Sequence, residues 1–166
     1  MRLRNLSGAE EALARSVFLH YLPYRHIYIS DVLGLGGAPF TFRLMVRFII
    51  NLGPAAFNDG ADSTTYWQET LIHELTHVWQ SQRHWFPWLY VAQSVIAQCG
   101  AILKTRDRNS AYIYTPGALW ETYNVEQQAS IVADWFIRGR SPHDPCYPYI
   151  VNRICNGNHP AGRRDL

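Results

Sequence analysis

At 166 residues, 48% apolar and 17% charged, the chain has the size and balance of one globular domain, which excludes a disordered or fibrous protein. Its net charge of +2 comes from scattered Lys and Arg with no basic run interleaved with aromatics, so no nucleic-acid partner is indicated. The longest apolar stretch, 89–103, is broken by Gln93, Ser94, Gln98 and Gly100 and is too polar for a stable membrane span. Glu10 and Glu11 interrupt the N-terminus before any signal-peptide core could form.

Ser7-Gly-Ala-Glu10 has the form of a capping box, and Leu13, Val17 and Phe18 follow at helical spacing, which predicts a helix over 8–19. Residues 25–30 alternate as a short strand does, and Gly34, Gly36 and Gly37 open a loop. Residues 41–51 are β-branched and apolar until Gly53-Pro54, predicting a second strand or hairpin whose 47–51 segment serves as an edge able to pair with an extended peptide. Asn58-Asp59-Gly60 reads as a tight turn.

From 63 to 83 the period becomes helical, with Ser63 or Thr64 as cap and Trp67, Leu71, Leu75 and Val78 as the apolar stripe. A further helix over 89–104, an extended piece at 111–115 and a long helix over 119–138 follow. The Pro-rich remainder is irregular, with one short helix. The order of elements, a helix, a small sheet and then mostly helices, defines an α+β fold in one domain, with a core at 6–139 and a tail at 140–166. Of three cysteines, Cys99 reads as a buried small hydrophobe; Cys146 and Cys155 are able to pair only in an oxidising compartment.

His73-Glu74-Leu75-Thr76-His77 carries the chemistry. Residues four apart on a helix share a face, so both imidazoles can reach one metal ion, and Glu74 beside them can serve as the base that takes a proton from the attacking water. The motif implies one Zn2+ per chain. A catalytic zinc needs a third protein ligand and an open position. His84 follows closely, but Trp85, Phe86 and Pro87 mark a helix end, and it reads as a surface or capping histidine. Glu126 and Asp134 lie on the later helix. Glu126 adjoins its core stripe, where a carboxylate is costly to bury without a positive partner. It is either a ligand or a solvated helix residue. Asp134 is a candidate hydrogen-bond acceptor for a ligating imidazole. Tyr112, Tyr114 and Tyr123 are candidate oxyanion donors, with Tyr123 one turn before Glu126 and core packing the ordinary alternative for each.

HELTHVWQ together with YNVEQQASIVADWF resembles the HExxH metallopeptidase domains associated with type VI secretion spike (Vgr-related) and Rhs-type proteins, and the opening LSGAEEALARSVF and the strand-and-turn RFIINLGPAAF are similar to that family's layout. The resemblance implies a minimal zincin of gluzincin type, with His73, His77 and Glu126 as zinc ligands and Glu74 as base. It further implies an endopeptidase acting on a peptide or protein as a secreted effector or toxin. Such a domain is cytoplasmic in the producer and delivered without a signal peptide, with a spike protein or cognate immunity protein as partner. The alternative is a non-catalytic, zinc-stabilised structural or adaptor module of a secretion or phage-like assembly.

Overall fold

The computed structural model describes residues 1–83 and 112–156. The helix expected over 89–104, His84 and Cys99 lie outside the described residues. Strand β1 (Leu3–Asn5) leads into helix α1 (Gly8–Phe18). The Ser7 side chain accepts from Glu10 N, while the Glu10 carboxylate accepts from Ser7 N, so the predicted capping box is present. Glu10 goes further than a cap. Fully buried, it also accepts from the two terminal Arg4 guanidinium nitrogens (2.6 and 2.7 Å) and from the Ala61 N–H (2.7 Å). One carboxylate thereby ties β1, α1 and the loop before the motif helix together.

Strand β2 (Ile27–Ser30) follows a single 3-10 turn at Tyr24–His26, and β3 (Phe40–Leu44) and β4 (Arg47–Asn51) form the hairpin. Its two-residue turn puts Met45 at φ 54°. The sheet order is β1-β2-β4-β3, with β2 and β4 parallel and the other pairs antiparallel. The predicted edge strand 47–51 is therefore central, and β3 is the edge on its side. The physical reason is written in the strand: Phe48, Ile49 and Ile50 are consecutive and all buried, and a run without alternation marks a strand covered on both faces. Gly53-Pro54 does end β4, but it also starts a helix, α2 (Gly53–Asp59), with proline in the first turn where its missing N–H is harmless. The turn expected at Asn58–Gly60 is the end of that helix, where Gly60 at φ 92° closes it.

Helix α3 (Thr65–Arg83) carries the motif, and Thr64 caps it by accepting from Trp67 N at 3.2 Å. Leu71, Leu75 and Val78 are fully buried in the core, together with Phe18, Ile29 and Ile50. The long helix predicted over 119–138 is two pieces: a 3-10 turn at Trp120–Thr122 and helix α4 (Val125–Ile137). Asn124 interrupts it with its own capping box, accepting from Glu126 N and Gln127 N while Gln127 caps back. Among the described residues, helices α3 and α4 form the most extensive helix pair, and α3 also packs on β3 and β4. The tail adds a helical turn (Tyr147–Tyr149) running into a π-helix (Ile150–Cys155). Cys146, Ile150 and Ile154 from this tail pack into the hydrophobic core. Cys146 and Cys155 are both free thiols. Among the described residues, no helix is long and apolar enough to cross a membrane.

Candidate metal centre

His73 and His77 stand one turn apart on α3, their rings perpendicular at 88° with centroids 4.8 Å apart. The second turn of the chain toward them is made by α4. Because Asn124 caps that helix, Glu126 falls in its first turn, where the helix dipole favours a negative charge. Glu126 Oε2 lies 3.3 Å from His73 Nε2 and 3.3 Å from His77 Nε2. The three ligand atoms are all within 4.8 Å of one another. Two ligands held at about 2.0–2.1 Å on a tetrahedral centre are about 3.3 Å apart, which matches the two Glu126 separations, and the His/His/Glu donor set could hold a metal ion.

The electrostatics agree with a site built for a cation. Burial favours a neutral Glu126, which is 2% exposed, but the two imidazoles outweigh it and hold the carboxyl far below the usual range. Burial likewise opposes charge on His77, and Glu126, with help from Glu74 and Gln80, pushes it up to about 9. His77 lies between two acceptors, Glu126 Oε2 and Gln80 Oε1 (2.8 Å from Nδ1).

Glu74 is buried against the sheet, where the Thr41 hydroxyl donates to its Oε2 over 2.7 Å. His73 and Glu74 nonetheless reach the wall of a cleft of about 590 Å3, whose lining includes Pro39, Tyr66, Tyr112 and Asp134. His77 and Glu126 sit behind that wall.

The remaining candidates separate. Tyr112 lines the cleft with its ring 5.9 Å from that of His73. Tyr123 does not face the site; its hydroxyl donates to Thr115 O (2.6 Å) and accepts from Ala118 N (3.1 Å), stapling the loop before α4. Asp134 lies eight residues beyond Glu126, about 12 Å along a helix axis. It stands outside the histidine cluster, accepting from Tyr114 Oη at 2.6 Å and pairing with Arg138 at 3.4 Å. Burial and Asp134 both raise the Tyr114 pKa, which keeps that phenol a donor. Two residues that sequence reasoning passed over, Thr41 and Gln80, touch the motif directly. Gln80 shares the helical face of His77 at i+3, a local signal that could have drawn notice; Thr41 has none, because only the tertiary fold brings it near.

No family model matches the chain. The fold is similar to a solved bacterial effector domain, with a TM-score of 0.59 and 28% identity, covering 83% of this chain and 75% of that one. That domain belongs to VgrG2b of Pseudomonas aeruginosa. In sequence, the chain is 29% identical over 140 residues to the type VI secretion system spike protein VgrG2b of the same species, spanning 81% of this chain but only 13% of that protein.

Proposed function

We propose that the chain is a zinc-dependent metallopeptidase domain of a type VI secretion effector, acting as an endopeptidase. The observation that carries this reading is the convergence of His73 Nε2, His77 Nε2 and Glu126 Oε2, with His73 and Glu74 at the wall of a cleft. The three residues would hold the ion. A bound Zn2+ polarises a carbonyl and lowers the pKa of a water from about 15.7 to about 7. Glu74, held by Thr41, takes the proton of the attacking water and returns it to the departing amine. The cleft is lined by Ala38 and Pro39 just before β3, whose outer edge is unpaired among the described strands, and an extended peptide entering the cleft would pair with that edge by strand addition.

The likeness to the effector domain of a secretion spike protein supports delivery on a spike; a cognate immunity protein, action outside the producer and the assignment of the whole chain to one domain belong to the same proposal. A purely structural zinc site is disfavoured by Glu74, since a closed four-ligand site has no use for a carboxylate at an open cleft. The test is Glu74→Gln assayed on an unfolded protein such as casein. Hydrolysis should fall by about 10²–10⁴ while zinc is retained; an unchanged rate would remove Glu74 from the chemistry.

A further inference from the structure

Gln80 lies outside the ligand set, yet it is 3% exposed and both polar atoms of its amide are committed. Its Nε2 donates to the Val125 carbonyl at 3.0 Å and to Gln128 Oε1 at 3.0 Å. Gln128 has its own orientation set in turn, because its Nε2 donates to the carbonyls of Trp120 (3.1 Å) and Tyr123 (3.2 Å). Backbone carbonyls only accept, so this chain of amides has a single polarity. It starts at the loop before α4, passes through Gln128 and Gln80, and ends with Gln80 Oε1 2.8 Å from His77 Nδ1. An amide oxygen cannot donate. The proton in that last bond therefore belongs to Nδ1.

We propose that Gln80 is a positioning residue that retains the Nδ1 proton of His77, so that Nε2 is the nitrogen offered to a cation, with Gln128 locking Gln80 in that orientation. The same relay bonds α3 to α4 next to Glu126, so the tautomer of one ligand and the seating of the other are set together. The consequence for zinc rests on the metal reading above; the geometry does not. Groups that orient a ligating imidazole in this way change metal affinity by about 10- to 100-fold when removed.

The experiment compares wild type, Gln80→Leu and Gln80→Glu as full chains. Leucine removes the acceptor. Glutamate loses the two donor bonds, and stability with them, but still accepts from Nδ1. Zinc affinity by chelator competition should fall about 10- to 100-fold in Gln80→Leu and stay near wild type in Gln80→Glu, even though both variants melt earlier. Equal losses in both would show that Gln80 merely supports packing, and an unchanged Gln80→Leu would remove any role; either overturns the proposal. A metal-free measurement stands beside it. Protein labelled with 15N-histidine should show a slowly exchanging Nδ1–H resonance for His77 that Gln80→Leu loses and Gln80→Glu keeps. Absence of that resonance in wild type, or its persistence in Gln80→Leu, contradicts the relay. A wild type that shows the resonance but takes up no zinc would instead strike the metal reading and leave the relay standing.

Discussion

The hydroxyl of Thr41 on edge strand β3 donates to Glu74 Oε2 over 2.7 Å, so the sheet holds the carboxylate that helix α3 presents to the cleft. Both residues are buried, and the bond leaves one carboxylate oxygen held and directed. Thr41→Val keeps the shape and removes the donor. We expect kcat for peptide hydrolysis to drop about tenfold, the equivalent of one bond of about 1.4 kcal/mol, with zinc content unchanged. Thr41→Ser should restore most of the rate. A Thr41→Val enzyme as fast as wild type would show that the bond has no part in directing Glu74.

Tyr123 offers the opposite case. Its hydroxyl is used between Thr115 O and Ala118 N, so Tyr123→Phe should cost about 0.5–1.5 kcal/mol of stability, the net worth of an ordinary hydrogen bond, and leave kcat alone. Thermal unfolding and initial rates on the same samples separate the two effects. A large fall in kcat with normal stability would return Tyr123 to the catalytic site.

The Arg4–Glu10 pair predicts how the fold responds to acid. Burial tends to raise the Glu10 pKa, but Arg4 and the Ser7 and Ala61 N–H groups prevail and lower it from 4.5. A carboxyl depressed in the folded state adds stability above its unfolded pKa, and that stability is lost as pH falls through the folded value. Wild type should therefore lose stability on acidification below about pH 4.5. Glu10→Gln should be less stable at pH 7 by about 3 kcal/mol and show a flatter acid limb. Urea unfolding at a series of pH values measures both; parallel acid limbs in the two proteins would contradict the assignment.

What could be read in advance was what is local. The HELTH motif, the Ser7–Glu10 capping box and the apolar stripe of α3 depend on residues within one or two turns of each other, and each is found where its spacing puts it. Asn124 and Gln127 carry an equally local capping signal, but the apolar positions on both sides of it conceal the break. The strand order was also partly written in the unalternating Phe48–Ile50 run. Thr41 against Glu74 could not be foreseen, since the two are 33 residues apart and meet only once β3 packs on α3. Glu126 shows both halves of the problem. Its residue type is suggestive, but its burial against His73 and His77 follows from how α4 docks on α3.

The central claim is most directly tested by zinc per chain, measured by native mass spectrometry on purified wild type, His77→Ala and Glu126→Ala. The account predicts one zinc in the wild type and its substantial loss in both variants, with folding confirmed by circular dichroism. A Glu126→Ala protein that keeps its zinc at undiminished affinity would contradict it, because the ion would then be held by something other than the residues that converge between α3 and α4.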